Sequence, residues 1–180
     1  MEDLGPFHDR PAEWELYSPL VGDTMLELGN KKNREHTYKG FFVSRGYAHT
    51  SIDTNGLDGA VVMDLCKPLN LGTFGMVTNI GTSEHVESQV GVWRNIVEAC
   101  HLGTVLICTT PMPGDWNWHG DWYPRAEFYR DLAMLNGFGI ERLYEAGTEP
   151  RRMWFCRMSR LEVTEFEMPK GHMYRNHIRW

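Results

Sequence analysis

Short apolar runs and longer amphipathic segments alternate along the chain between residues 24 and 158. Apolar runs of this length, bounded by glycine and other turn residues, are typical of buried strands. The run TVLICT at residues 104–109 is rich in β-branched residues, which favours a central place in a sheet. In all, the pattern predicts strands over residues 24–29, 49–53, 60–65, 74–80, 104–109, 138–144 and 152–158.

Three amphipathic segments between these runs predict helices. The first covers residues 34–47, and the third begins at Pro124 and ends at Gly137. Either Thr82 or Ser83 would cap the start of the middle helix. Its apolar residues are spaced by four and by three, so one stripe carries Val86, Val90, Trp93, Val97 and Cys100.

Strands that alternate with helices place the chain in the α/β class, as a doubly wound, mostly parallel seven-stranded sheet with helices on both faces. We expect a single domain over residues 1–180, with an N-terminal arm at 1–20, a core at 24–158 and a C-terminal tail at 159–180. Sheets of this kind bind ligands beyond the carboxyl ends of their strands, so the residues there are the candidates for function.

Composition narrows the class of protein. Of the 180 residues, 42% are hydrophobic and 23% are charged, and the net charge of −6 argues against a broad nucleic-acid surface. No apolar run reaches the length of a membrane span, and the acidic start of the chain is unlike a signal peptide. The cysteines form no CxxC pair, which predicts buried, reduced thiols. We therefore expect a cytoplasmic protein without membrane association.

Polar residues at the ends of the predicted strands form a candidate ligand site. Glu27, Gly29 and Asn30 lie where the first strand turns towards a helix, and such a corner binds anions. Asp53 ends the second strand, where a carboxylate accepts both hydroxyls of a ribose. Asp64 ends the third run and is placed to accept from an adenine amino group, although it equally suits a turn before the following Lys-Pro pair.

The order of these segments resembles that of class I methyltransferases that use S-adenosylmethionine (SAM). The resemblance covers residues 24–158 and rests on LELG at the first strand end, SIDTNG at the second, MDL at the third and TNIGTSEHV at the fourth. The final pair of strands also matches, and the resemblance implies that the last strand runs antiparallel. It further implies SAM as the cofactor.

The resemblance also implies a role for each candidate residue. Asp53 would bind the ribose of SAM, and Asp64, with the backbone of Leu65, would bind the adenine. Asn79 and Gly81, at the end of the fourth strand, would form the floor of the site. The residues against the methionine part of SAM would be Glu27, Gly29 and Asn30.

These expectations describe a small methyltransferase that acts on a small-molecule acceptor. His85 would lie near the methyl group as the candidate catalytic base, although it equally suits the first turn of a helix. The aromatic segment at residues 110–123 is either a lid over the acceptor or a packed loop. Its Asp115, His119 and Asp121 match no known spacing of metal ligands, so no metal site is predicted.

The first strand end departs from the glycine pattern of the family. Glycine at alternate positions is usual there, whereas this chain has Glu27, Gly29, Lys31 and Asn33. One hypothesis is that Lys31 or Lys32 holds the SAM carboxylate by its charge. The alternative function is a non-catalytic or structural protein on a methyltransferase fold.

Two other classes of enzyme are disfavoured. A nicotinamide enzyme would carry G-x-G-x-x-G after the first strand, and the chain has no such motif there. A serine hydrolase would carry G-x-S-x-G, but His85 replaces the second glycine after Ser83, where close packing excludes a large side chain. Ser83 is therefore interpreted as a helix cap.

Overall fold

A computed structural model describes residues 16–17, 19–30 and 38–175 of the chain. The α-helices in this part are α1 (Tyr38–Ser44), α2 (Gln89–Glu98) and α3 (Ala126–Leu135), and none of them is long and apolar enough to cross a membrane. The strands are β1 (Thr24–Leu28), β2 (Ala48–Ile52), β3 (Phe74–Ile80), β4 (Cys100–Pro111), β5 (Trp122–Pro124), β6 (Phe138–Ala146), β7 (Met153–Arg160) and β8 (Met173–Arg175).

The central sheet has six strands in the order β2-β1-β3-β4-β7-β6. Strand β1 lies parallel to β2 and β3, and β3 lies parallel to β4. Strand β7 runs antiparallel to β4 and β6, which confirms the predicted direction of the last strand of this sheet. Strands β5 and β8 pair in a separate two-stranded sheet. The carboxyl ends of β1, β2 and β3 therefore meet at one edge.

Alternate residues of the inner strands enter two hydrophobic clusters, because successive side chains of a strand point to opposite faces of the sheet. Leu26 of β1 lies in the cluster that contains Trp93 of α2 and Phe128 of α3. Its neighbour Met25 lies in the cluster that contains Phe42 of α1. Burial of both faces explains why the inner strands are continuous apolar runs in the sequence.

The predicted strand at residues 60–65 is wrong. This segment makes one isolated bridge, between Ile52 and Val61. Val61 and Val62 are 39% and 67% exposed, so the middle of the apolar run is not buried between layers. Asp64 then turns the chain by accepting a hydrogen bond from the N–H of Cys66 at 2.9 Å. The described part of the chain therefore has a central sheet of six strands where seven were predicted.

Helix α2 begins later than the sequence pattern predicted. Its N-cap is Ser88, whose Oγ accepts from the N–H of Gly91 at 3.1 Å, so neither Thr82 nor Ser83 caps this helix. The residues before it form a short 3-10 turn. Trp93 and Val97 of the predicted apolar stripe are buried, whereas Val90, in the first turn of the helix, is 48% exposed.

The other two helices also differ from their predicted bounds. Pro124 ends β5 instead of opening α3, which begins at Ala126 after an extended Arg125. Helix α1 ends at Ser44, and positions 34–37 of the first predicted helix lie outside the described residues. A proline that was expected at a helix start thus pairs in the small sheet, because β8 supplies it with a partner strand.

The predicted arm and tail both contribute packing in their described parts. Leu16 and Tyr17 are fully buried and lie in the cluster of α1. Arg157 of β7 donates from Nη1 to the carbonyl of Leu16 at 2.6 Å, which attaches the arm to the sheet. In the tail, Met173 pairs with Pro124 through the small sheet.

Candidate ligand-binding site

An open pocket of about 340 Å³ lies beyond the carboxyl ends of β1, β2 and β3. This volume lies in the range of small-molecule sites. One side, which we term the strand wall, consists of Gly29, Gly81 and Thr82. The other side belongs to the segment 53–66, which we term the loop wall and of which residues 53–54 and 63–66 line the pocket. The predicted site residues that line the pocket are Gly29, Asp53, Asp64, Leu65, Gly81 and His85.

Gly29 closes the corner between β1 and β3. Its φ of 78° lies in the left-handed region, and its N–H donates to the carbonyl of Ile52 at 2.8 Å. Across the corner, Thr82 Oγ1 donates to the carbonyl of Leu28 at 2.7 Å. A Cβ on residue 29 would overlap Thr82 Oγ1, so the strand wall requires glycine at this position.

Two of the predicted site residues are buried and bond to neighbouring residues of the protein instead of lining the pocket. Glu27 is 2% exposed, and its Oε2 lies 2.9 Å from Nε2 of His49. The side chain of Asn79 is fully buried, with Oδ1 accepting from the Ser83 N–H at 3.0 Å and Nδ2 donating to Ser83 Oγ at 2.8 Å. Neither residue lines the pocket that the described residues form. Their proposed contacts with SAM stay predictions.

Asp53 is held at the pocket by two backbone groups. The N–H of Asn30 donates to Oδ2 at 2.9 Å, and the N–H of Asn55 donates to Oδ1 at 3.0 Å. An ionised carboxylate accepts about four hydrogen bonds, so capacity remains for two further donors. Asn30 also donates from Nδ2 to the carbonyl of Leu57 at 2.6 Å. Asn30 therefore joins the end of β1 to the loop wall.

Asp64 forms a turn, which was the alternative interpretation of this residue from the sequence. Its Oδ1 accepts from the N–H of Cys66 at 2.9 Å, and its Oδ2 lies 3.6 Å from Nζ of the exposed Lys67. The Cys66 N–H holds the pKa of Asp64 below its ordinary value, so the carboxylate stays charged. Asp64 nevertheless lines the pocket, and its contact with adenine stays a prediction.

Asn95 of α2, which the sequence analysis missed, fixes the far end of the loop wall. Its Nδ2 donates to the carbonyls of Leu65 and Lys67 at 2.9 and 2.8 Å, and its Oδ1 accepts from the Leu69 N–H at 3.2 Å. Asn95 is 4% exposed. A buried asparagine amid the apolar positions of the helix was the signal in the sequence, since such a group needs hydrogen-bond partners.

His85 lies at the rim of the pocket beside a buried carboxylate. Nε2 of His85 is 3.8 Å from Oε1 of Glu84, and Nε2 of His119 is 3.6 Å from the same oxygen. The two imidazole rings meet edge to face, with their centroids 4.8 Å apart. His85 was predicted near the ligand, whereas no pattern in the sequence indicated that His119 would lie beside it.

The aromatic segment forms a second pocket of about 500 Å³, which Trp116, Trp118 and His119 help to line. Trp118 is 64% exposed, whereas Trp116 is anchored by its Nε1, which donates to the carbonyl of Arg152 at 3.0 Å. Asp115 accepts from Nε of Arg152 at 2.8 Å, and this guanidinium lowers the pKa of Asp115. The carboxylate of Asp115 is therefore bound to the Arg152 guanidinium.

Ser83 and the buried cysteines support no covalent chemistry. Ser83 is 2% exposed, and its Oγ is bonded to Asn79, so an external substrate does not reach the hydroxyl. All four cysteines are free thiols, and Cys100, Cys108 and Cys156 are buried as predicted, whereas Cys66 is partly exposed and lines the first pocket. Burial raises the pKa of Cys100 to about 12, which keeps that thiol neutral.

Comparison with known proteins identifies the fold. No family model matches the chain, and no curated protein matches it in sequence. The 1,6-didemethyltoxoflavin-N1-methyltransferase of Burkholderia thailandensis, determined with 1,6-didemethyltoxoflavin and S-adenosylhomocysteine bound, has a TM-score of 0.66 at 12% identity. That match covers 85% of this chain and 78% of the other.

Two further structures give the same result. A SAM-dependent methyltransferase from Mesorhizobium loti has a TM-score of 0.64 at 14% identity, covering 84% of this chain and 97% of the other. The N-methyltransferase NodS from Bradyrhizobium japonicum, determined with S-adenosylhomocysteine, has a TM-score of 0.63 at 15% identity, covering 89% of this chain and 90% of the other. The chain therefore has the fold of class I SAM-dependent methyltransferases.

Proposed function

We propose that the chain is a SAM-dependent methyltransferase that acts on a small-molecule acceptor. The observation that carries the proposal is the pocket at the carboxyl ends of β1, β2 and β3, in a chain with the methyltransferase fold. Similar structures determined with S-adenosylhomocysteine support the cofactor. The one determined with 1,6-didemethyltoxoflavin supports an acceptor of similar size.

The side chains of the pocket suit SAM. The carboxylate of Asp53 retains acceptor capacity for two donors, which matches the two hydroxyls of a ribose. Leu65, with 9% exposure, offers an apolar edge for adenine next to the charged Asp64. Gly29 and Gly81 allow a ligand to approach the backbone closely. Lys31 and Lys32, the predicted partners of the SAM carboxylate, lie outside the described residues.

The acceptor would lie on the side of the aromatic segment. The edge-to-face contact between His85 and His119 joins the rim of the first pocket to the second, which has Trp116 and Trp118 in its lining. Exposed indole rings favour flat, apolar molecules. The net charge of −6 supports a small molecule over a nucleic acid.

In SAM the methyl group is bound to a sulfonium sulfur. When the methyl group moves to the acceptor, the sulfur leaves readily as a neutral thioether. The chain then has two tasks, to align the acceptor with the cofactor and to keep water away. His85 is the predicted base, and its rim position supports removal of a proton from an oxygen or nitrogen acceptor by the imidazole.

Calorimetric titration of the full chain with SAM and with S-adenosylhomocysteine tests the cofactor. We expect both to bind, and Asp53→Asn to weaken both by roughly tenfold or more, because hydrogen bonds to a charged group contribute about 1.5–3 kcal/mol. Asp58→Asn is the matched control, since this exposed carboxylate lies in the same segment but outside the pocket lining. Its affinities should equal those of the wild type.

Two results would contradict parts of the proposal in different ways. Failure of the wild-type chain to bind either ligand would favour the non-catalytic alternative. Equal affinities in wild type and Asp53→Asn would instead remove only the ribose assignment. If both ligands bind, production of S-adenosylhomocysteine in the presence of aromatic heterocycles identifies the acceptor class, and His85→Ala should lower that rate.

A further inference from the structure

Glu84 is a buried carboxylate without a hydrogen-bond partner among the described residues. It is 1% exposed, and neither Oε1 nor Oε2 has a donor within bonding distance. Burial of an ionised carboxylate costs several kcal/mol unless a cation or strong donors compensate it. Such groups are rare in folded proteins, and a bound ion often accounts for them. The groups that face this side chain therefore decide how its charge is compensated.

Two histidines approach the same carboxylate oxygen from different segments. His85 Nε2 and His119 Nε2 lie 3.8 and 3.6 Å from Glu84 Oε1, which is longer than a hydrogen bond. One ligand atom from each residue falls within 4.8 Å of the others. In a tetrahedral zinc site, bonds of about 2.0–2.1 Å place ligand atoms roughly 3.3 Å apart. The three ligand atoms are thus up to about 1.5 Å further apart than in a bound site, and rotation of the partly exposed imidazoles would bring them onto an ion.

The backbone holds the aromatic segment firmly against Glu84. The N–H of Asp121 donates to the Glu84 carbonyl at 2.8 Å, and a Cβ on Gly120 would lie 2.8 Å from Glu84 Cγ. The Tyr123 hydroxyl donates to the Trp116 carbonyl at 2.8 Å and accepts from the Gly120 N–H at 3.1 Å. His119, between these anchors, therefore has a defined position relative to the carboxylate.

We propose that Glu84, His85 and His119 bind one divalent transition-metal ion of the Zn²⁺ class. Two imidazoles and one carboxylate are ligands that zinc prefers, whereas Mg²⁺ and Ca²⁺ take oxygen ligands. The positive ion compensates the buried charge of Glu84. Three protein ligands leave a fourth position for a water molecule or a substrate atom, which is the arrangement of zinc sites that take part in chemistry.

The ion would lie between the two pockets, since His85 lines the first and His119 lines the second. It would also fasten the aromatic segment to the turn after β3. A ring nitrogen of His85 that binds the ion is not a free base, so ion binding and the base assignment are alternatives for that nitrogen. The metal site does not depend on the proposed methyl transfer, because it rests on Glu84 and its two neighbours alone.

Equilibrium dialysis with Zn²⁺, after removal of metals by a chelator, tests this site on the full chain. We expect one bound ion per chain, and Co²⁺ in its place should show the visible absorption bands of a low-symmetry site with nitrogen ligands. His119→Ala and Glu84→Gln should each weaken binding by roughly a hundredfold, because each removes one of three ligands. His101→Ala and His172→Ala are the controls, and they should bind as the wild type does.

Stability without metal separates a ligand from a structural carboxylate. Glu84→Gln should unfold at the same urea concentration as the metal-free wild type or at a higher one, because it replaces a buried carboxylate whose oxygens accept no hydrogen bond from the described residues. Absence of bound Zn²⁺ and Co²⁺ in the wild type would overturn the proposal in favour of a plain carboxylate–histidine ion pair. Binding that survives in both His119→Ala and Glu84→Gln, or that is lost in His101→Ala or His172→Ala, would overturn it as well.

Discussion

The two walls of the first pocket are built in different ways. In the strand wall, most bonds join backbone groups, as when the N–H of Gly81 donates to the carbonyl of Thr109 at 2.9 Å, and the Thr82 hydroxyl adds one side-chain bond. In the loop wall, side-chain bonds to the backbone supplement the few backbone bonds, and the contributors are Asp53, Asn55, Asp64 and Asn95. The strand wall follows from the sheet, whereas the loop wall depends on a few polar residues.

This difference predicts where substitutions act. A change in the strand wall disturbs the sheet corner and the pocket together, so stability and ligand affinity should fall together. A change in the loop wall releases a segment that is only partly packed against the rest of the protein, because Val61 and Val62 are exposed. Local opening of such a segment costs less than global unfolding. Substitutions with matched controls test this contrast.

Gly29→Ala should have the largest effect, because it combines three costs. A left-handed φ costs about 1–2 kcal/mol for a residue with a Cβ, overpacking against Thr82 adds about 1–3 kcal/mol, and loss of the Thr82–Leu28 hydrogen bond adds about 1 kcal/mol. We expect the free energy of unfolding to fall by about 3 kcal/mol or more, as measured by urea denaturation.

A matched glycine isolates the steric part of this effect. Gly46 has a φ of 88°, but a Cβ there meets nothing within 4 Å. Gly46→Ala should therefore cost only the conformational term of about 1–2 kcal/mol. The double variant Gly29→Ala, Thr82→Ala should recover part of the lost stability, since it removes the overlapping hydroxyl. Equal losses for Gly29→Ala and Gly46→Ala would show that the corner is not tightly packed.

Asn95→Ala should release the loop wall. It leaves the carbonyls of Leu65 and Lys67 and the N–H of Leu69 without their partner, and each buried polar group left unpaired costs about 1 kcal/mol or more. The free energy of unfolding should fall by about 2–3 kcal/mol, and the Leu69 amide should exchange faster with deuterium. Glu98→Ala, an exposed position of the same helix, should change neither measurement.

An isosteric pair of substitutions tests the difference between a strand and a misleading apolar run. Val77 of β3 is fully buried, whereas Val62 is 67% exposed. Val77→Thr places a hydroxyl in the core and should cost about 1–3 kcal/mol of stability. Val62→Thr should remain within about 0.5 kcal/mol of the wild type. A loss in Val62→Thr as large as that in Val77→Thr would mean that residues 60–65 are buried in solution.

The sequence predicted the strand wall well and the loop wall poorly, for a physical reason. Apolar periodicity reports burial between layers, so it identified the strand at residues 74–80 with its correct ends. The apolar run at residues 60–65 led to a wrong strand prediction. A strand also needs a neighbouring strand to pair with, and the apolar pattern carries no information on pairing. Asp53 was predicted at the pocket from its position alone. The contact between His119 and Glu84 was not predicted, because tertiary packing brings these two distant segments together.

Asp64→Asn should have the smallest effect, and its size depends on pH. The folded-state pKa of Asp64 lies below its ordinary value, mainly because the Cys66 N–H bonds to the carboxylate. A depressed folded-state pKa stabilises the protein above the unfolded-state pKa of about 4, and this contribution disappears as the pH falls through the folded-state pKa. The wild type should therefore be more stable than Asp64→Asn at pH 7, and the two should converge in urea denaturation as the pH falls through the folded-state pKa.

Lys67→Ala separates the two neighbours of the Asp64 carboxylate. The contact from Nζ of Lys67 to Oδ2 spans 3.6 Å between exposed groups, and such pairs contribute little. If the Cys66 N–H dominates, Lys67→Ala keeps most of the pH-dependent stability that Asp64→Asn loses. If Lys67→Ala loses as much as Asp64→Asn, the ion pair and not the turn sets the charge at this wall. The loop wall would then depend on a salt-sensitive surface contact, and 1 M NaCl should weaken it, because the Debye length falls to about 3 Å.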